Sequence, residues 1–197
     1  MDTYKVKLTF TEPLLGAVAM NKELYGDYIG GKAPNGAAAE EEFDSVLEME
    51  KGTTGFHRNS AGQPMLYDYV LKGFFKDACG MLRRDSDTGS SKLAAFKKVI
   101  DGLVFVSPRR IPITLSGDIT FNERPLRAQT AQGERVALAR SESAPEGSTI
   151  EFTVEILGGV KASLLKEWFD YGKRRGLGQW RNASYGRFTY QIERLTT

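Results

Sequence analysis

The sequence predicts an α+β protein built on an antiparallel sheet, and three observations carry that expectation. Tyr4 to Thr11 alternates Tyr4, Val6, Leu8 and Phe10 with Lys5, Lys7, Thr9 and Thr11, the period of a strand with one buried face. Ser148 to Leu157 repeats the pattern with Ile150, Phe152, Val154 and Ile156. Two amphipathic helices complete the frame: Tyr67 to Arg84, with Leu71, Phe74, Phe75, Ala78 and Leu82 on one side, and Lys161 to Arg174, with Leu164, Leu165, Trp168 and Tyr171.

Taken in order, Pro13 ends the first strand. Residues 16–65 are irregular, with Gly26, Gly30, Gly31, Pro34, Asn35 and Gly36, a short acidic helix over Ala37 to Lys51, and a turn-rich stretch from Gly52 to Pro64. About fifty residues is too long for an ordinary connection, so the block reads as an insertion on a compact core. After the first helix, Ser91 to Ile100 predicts a second one, capped by serine and stopped at Gly102. Leu103 to Val106 and Ile111 to Leu115 read as strand segments broken by Pro108. Residues 117–140 form a hairpin arm, going out through Ile119 and Phe121 and returning through Val136 and Leu138, with a turn at Gln132-Gly133-Glu134. Phe188, Tyr190 and Ile192 mark the last strand. Strand, helices, strand, strand, helix, strand is the ferredoxin-like order, also that of RNA-recognition motifs, with helices on one face of the sheet. Residues 1–197 are expected to form a single domain.

Composition is that of a globular chain, 197 residues with 41% hydrophobic and 26% charged residues. No apolar run reaches membrane-span length, and the chain opens on a strand pattern rather than a signal peptide, so a cytoplasmic location is expected. Cys79 falls on the apolar face of the first helix and reads as core. One histidine and one cysteine exclude the usual zinc sites, and no cofactor fingerprint is present: Gly176-x-Gly178-x-x-Arg181 follows a helix, not a strand. The formal net charge is +2, but residues 1–82 carry 8 Lys/Arg against 12 Asp/Glu, and residues 83–197 carry 19 against 13. The basic part is mostly arginine, the planar phosphate reader.

The stretch from Tyr171 to Arg187 concentrates this character, with four glycines, five Lys/Arg and Trp180 between a helix and a strand. Glycine permits positive φ and close backbone approach, with amides free to face an anion. Arginines track phosphates, and an aromatic ring offers a stacking platform for a base. Lys173, Arg174, Arg175 and Gly176 also fit a helix end, as last-turn cations and a left-handed cap. That reading leaves Gly178, Trp180, Arg181 and Arg187 without a role. Tyr67, Tyr69, Phe74 and Phe75 are read as core rather than as a stacking face.

Several segments together resemble the RAMP superfamily, the backbone, guide-RNA-binding subunits of type III and type I CRISPR effector complexes. Leu71-Lys72-Gly73 is similar to the family's "LKG" helix start, Pro145-Glu146-Gly147-Ser148-Thr149-Ile150-Glu151-Phe152 to its entry into the third core strand, and Gly176-Leu177-Gly178-Gln179-Trp180-Arg181 to its C-terminal glycine-rich loop. Arg124 to Arg140 corresponds to its thumb hairpin. The family's serine pair before "LKG" is replaced by Asp68-Tyr69. The resemblance implies an RNA path lined by Lys72 and Lys76, by Gly176, Gly178 and Arg181, and by Arg124, Arg127 and Arg135, with subunits stacking into a filament beside other effector subunits. The chain also resembles stand-alone bacteriophage proteins.

The expected function is therefore a non-catalytic protein that binds single-stranded RNA or DNA through Lys72, Lys76, Arg124, Arg127, Arg135, Arg174, Arg175, Gly176, Gly178, Trp180, Arg181 and Arg187, without metal or cofactor. Two alternatives stand beside it. A phage-encoded interaction or inhibitor protein would use the same fold, with the acidic run Glu40 to Glu50 docking onto a basic channel. A RAMP-type endoribonuclease would need His57 as acid or base, or Asp27 as the loop aspartate that some type III backbone subunits use with a metal.

Overall fold

In the computed structural model, residues 2–20, 53–130, 133–158 and 160–195 are described, with the backbone alone for 126–130 and 133–137. Asp27 and the acidic segment over 37–51 lie outside the described residues. The structure is mixed α+β, with antiparallel sheets and, among the described residues, three α-helices.

Strand β1 (Asp2–Phe10) buries Tyr4, Val6, Leu8 and Phe10 and turns its lysines the other way. It pairs antiparallel with β11 (Thr149–Ile156) on one side and with β12 (Phe188–Leu195) on the other. β11 in turn pairs with both β7 (Val104–Ser107) and β8 (Arg110–Thr114). The remaining strands of this seven-stranded sheet are β6 (Pro64–Tyr67), which pairs with β8, and β5 (His57–Arg58), which pairs with β6.

Helices α1 (Asp68–Leu82) and α3 (Ala162–Arg175) cover the apolar face. Phe169 of α3 is the hub of that layer, with ring centres 5.1 to 6.4 Å from Phe74, Phe75, Phe152, Phe188 and Tyr190. Gly172 sets the depth of the docking: a Cβ there would lie 2.3 Å from Phe188 Cζ and 2.8 Å from Phe74 Cζ. The opposite face of the sheet is polar. Glu151 pairs with Lys7 at 3.1 Å and Lys5 at 3.6 Å, and the hydrogen bond from Lys7 holds the Glu151 carboxyl below its usual pKa.

A second, five-stranded sheet is built around the hairpin of β9 (Thr120–Thr130) and β10 (Gly133–Ala144). The root of β10 pairs with β2 (Leu14–Leu15) and, in parallel, with β4 (Thr53–Gly55), which carries β3 (Val18–Ala19).

The structure departs from the sequence-based expectation at several elements. The strands of the hairpin run beyond 117–140 at the returning end, because Ser143 and Ala144 are held by Leu15 and Leu14. The helix expected over Ser91 to Ile100 is replaced by a 3₁₀ turn (Ser90–Lys92) and by α2 (Phe96–Leu103). Ser91 does not cap a helix; its hydroxyl donates to the Thr88 carbonyl at 2.6 Å, the local competition that makes serine a turn residue. Tyr67, expected at the start of α1, ends β6. The turn-rich stretch ahead of it contains β4, β5 and part of β6, strands too short to leave a periodic signal.

Candidate nucleic-acid interface

The glycine-rich segment leaves α3 at Gly176, whose φ is +80°. Its glycines let two stretches of backbone touch. A Cβ on Gly176 would lie 2.3 Å from the Tyr185 carbonyl oxygen, and one on Gly186 would lie 1.9 Å from that of Leu177. Three of the amides are consumed by backbone carbonyls: Gly176 N–H donates to Gly172 of α3 at 2.8 Å, Leu177 N–H to Gly186 across the loop at 2.9 Å, and Gly186 N–H to Pro13, beyond the end of β1, at 2.9 Å. Those three N–H groups therefore do not face an anion, contrary to the expectation from glycine spacing. Gly178 serves packing too, since a Cβ there would meet Leu14 Cδ1 at 2.8 Å.

What the loop presents is side chains. Arg175 and Arg181 share Asp77 of α1, with Arg181 Nη1 at 2.7 Å and Arg175 Nε at 3.4 Å from Oδ2. Arg175 also donates to Asn182 Oδ1. Arg187 Nε donates to the Arg174 backbone carbonyl at 2.8 Å. Arg175 and Arg181 are thus held together by Asp77 near the end of α3, where the helix C-terminus already favours cations. Arg187 is tied to that end through the Arg174 carbonyl, while the Arg174 side chain lines a separate groove with Lys166, Glu167 and Asp170.

Trp180 enters the 3₁₀ turn Arg181–Ala183 in the left-handed conformation, φ 54°. Its ring stacks on Tyr185 at 5.2 Å and 12°, and the Arg124 guanidinium carbon lies 4.6 Å from its centre. Arg124 comes from the root of the hairpin. Its Nη1 donates to Ser141 Oγ at 3.2 Å, and Ser141 donates to Gln179 Oε1 at 3.0 Å. Asn122 Nδ2 donates to the Tyr185 hydroxyl at 2.8 Å. The Thr54 hydroxyl of β4 lies 2.8 Å from Ser141 Oγ and from the Gly16 carbonyl. Loop, hairpin root and β4 thus meet in one polar cluster, an encounter between segments far apart in sequence. Arg127 and Arg135 follow on the hairpin, opposite Val136 and Ala128 in the ladder; their side chains lie outside the described residues.

Lys72 and Lys76 belong to a different surface. Lys76 Nζ pairs with Asp101 Oδ1 at 2.8 Å, while Lys72 Nζ donates to the Asp101 carbonyl at 3.1 Å and sits 5.1 Å over the Phe105 ring. Tyr69, three residues before Lys72 on the same helix face, is 58% exposed, and Phe105 is 42% exposed. Tyr69 stacks on Tyr67 at 5.5 Å, and Arg109 reaches over Tyr67 at 6.0 Å. The assignment of Tyr69 to the core is therefore corrected: it opens α1, and the first turn turns it to solvent. His57 packs edge-on against Tyr67 at 4.7 Å, and burial holds its pKa below the usual histidine value. Among the described residues, no three of His, Cys, Asp and Glu group as a metal site needs, and no helix is long and apolar enough to cross a membrane. Cys79 is wholly buried, as its position on the apolar face predicts.

No family model matches this chain, and no curated protein matches it in sequence. Solved structures do. The chain is similar to one in the cryo-EM structure of the Type III-B Cmr-beta bound to cognate target RNA, at 15% identity and a TM-score of 0.53 over 99% of its length. It spans 61% of the length of that chain. It is also similar to a chain of a Type IV-B CRISPR complex, at 10% identity and a TM-score of 0.52, covering 97% of this chain and 90% of that one. The protein therefore shares its fold with subunits of two CRISPR-type assemblies.

Proposed function

We propose that this chain is a RAMP-type, single-domain protein that binds single-stranded nucleic acid, RNA first, without cutting it, in the cytoplasm and alongside other effector subunits or copies of itself. The observation that carries the reading is the meeting of the arginine-rich loop with the hairpin root, where Arg175 and Arg181 share one carboxylate, Asp77, and Arg187 is tied to the end of α3, beside the Arg124–Trp180 stack.

A ferredoxin-like core is supported by the order β12-β1-β11-β7 with α1 and α3 as crossovers. On this reading residues 16–65 are an insertion and 117–140 the arm. The fold likeness to a subunit of an RNA-bound complex supports RNA as the ligand. The strand would not cross the open sheet face, where Lys5 and Lys7 are already answered by Glu151. It would follow the loop and hairpin root, with the Tyr69–Lys72–Phe105 strip as a second contact.

Fluorescence anisotropy with labelled oligouridylate and oligothymidylate over a salt series tests the proposal. Binding is expected to weaken with salt, by a log–log slope of about 0.7 for each phosphate neutralised. No binding at low ionic strength, or binding indifferent to salt, overturns it. Light scattering on the same samples reads self-association as a mass above the 21.8 kDa of one chain.

A further inference from the structure

Two charged side chains are buried among the described residues, Glu142 and Arg124. Glu142 is answered: it accepts the Phe56 N–H at 2.9 Å and pairs with Arg58 at 2.5 Å. Arg124 is 5% exposed and has no carboxylate within ion-pairing distance among the described residues. Its neighbours are neutral, namely the Ser141 hydroxyl, the Asn122 amide and the rings of Trp180 and Tyr185. Burial pulls the guanidinium pKa down, with Tyr185 acting weakly the other way. Such a group stays charged, and a buried charge without a partner is costly.

The pattern of used and unused N–H groups says what is missing. Nη1 donates to Ser141 and Asn122, Nε is buried with no acceptor, and nothing among the described residues bonds Nη2. The free edge is Nε–Nη2, and two parallel N–H groups on one edge are the fork that grips an oxyanion. Trp180 covers the guanidinium. At 39% exposed it is the outermost member of the enclosure, with Asn122 and Tyr185 half-buried and Ser141 buried, so its ring is the part that can swing aside into solvent.

We propose that the Nε–Nη2 edge of Arg124 receives one phosphodiester of the bound single strand, where the strand passes between the glycine-rich loop and the hairpin root, with Trp180 as the movable cover. This rests on the nucleic-acid reading above and names the phosphate contact within it.

The test compares the full chain with Arg124→Gln and Arg124→Lys. With labelled oligouridylate, Arg124→Gln weakens binding about ten-fold or more and makes the salt slope shallower by about 0.7. Its thermal midpoint without ligand does not fall, because an unanswered buried cation has been removed. Arg124→Lys keeps the slope and loses affinity, having the charge but not the fork. An unchanged slope in Arg124→Gln, or a midpoint that falls in step with affinity, overturns the inference in favour of a structural stacking role. Full affinity in Arg124→Lys overturns the bidentate contact. Trp168 is wholly buried in the core, so a change of tryptophan emission on binding reports Trp180, and no change overturns its role as cover. Should the parent bind no oligonucleotide, the nucleic-acid reading fails by itself and tripolyphosphate decides the anion site. A midpoint raised in the parent and not in Arg124→Gln sustains the site; no rise in either ends it.

Discussion

Arg181 Nη1 stands 2.7 Å from Asp77 Oδ2, the same oxygen that Arg175 Nε approaches at 3.4 Å. One carboxylate on α1 therefore anchors two arginines of the glycine-rich segment and partly cancels the charge that segment offers to phosphates. Asp77→Asn is expected to tighten single-strand binding roughly two- to five-fold at low salt and to steepen its salt dependence, while costing about 1 kcal/mol or less of stability. Weaker binding in anisotropy titrations would mean that Asp77 serves chiefly to aim the two guanidinium groups.

Gly186 has a φ of +70°, and a Cβ there would stand 1.9 Å from the Leu177 carbonyl oxygen, the residue whose N–H returns to Gly186. Gly186→Ala combines left-handed strain with a backbone collision, so a loss of roughly 2–4 kcal/mol is expected in urea denaturation. A variant as stable as the parent would show that the two arms of the loop can part freely.

The exposed ring of Tyr69, beside Lys72 and Phe105, has the make-up of a stacking platform. Tyr69→Ala is expected to weaken oligonucleotide binding by about 1–3 kcal/mol if one base stacks there. Gln191→Ala, on the charge-balanced open face of the sheet, should leave binding unchanged. Equal effects of the two substitutions would remove the strip from the binding path.

Tyr190 gives a pH signature of the native packing of β12 on α3. Burial, and then the Asp170 carboxylate that accepts its hydroxyl hydrogen at 3.1 Å, push its pKa up to about 12. The unfolded chain releases that proton near pH 10. The folded state holds it longer, so this contribution is whole below about pH 10 and is lost as the pH rises from about 10 to about 12. Denaturation midpoints at about pH 9 and about pH 11 should differ less in Tyr190→Phe than in the parent. An identical drop in both would show that the hydroxyl is not held in this way.

The sequence by itself determined the strands β1, β11 and β12, the helices α1 and α3, and the burial of Cys79, because each rests on a periodicity that one buried face imposes locally. Leu71, Phe74, Phe75 and Ala78 could be assigned to a core before any partner was known, and they lie against Trp168 and Phe169 in it. The same local logic picked out the arginines and Trp180 as one cluster. It misjudged Tyr69, since an aromatic beside a helix start carries no mark of which way the first turn will point it. It could not find β4 or β5, whose two or three residues form only because β10 and β6 offer edges to pair with. Only the tertiary structure decided that the Gly176 and Gly186 amides are taken by the carbonyls of Gly172 and Pro13, and that Asp77, a helix residue 104 positions away, holds Arg181. It alone brought Arg124 from the hairpin under Trp180, with Ser141 and Asn122 as neutral company. Whether a charge is answered depends on which distant backbone brings a carboxylate near, and no spacing along the chain contains that distance.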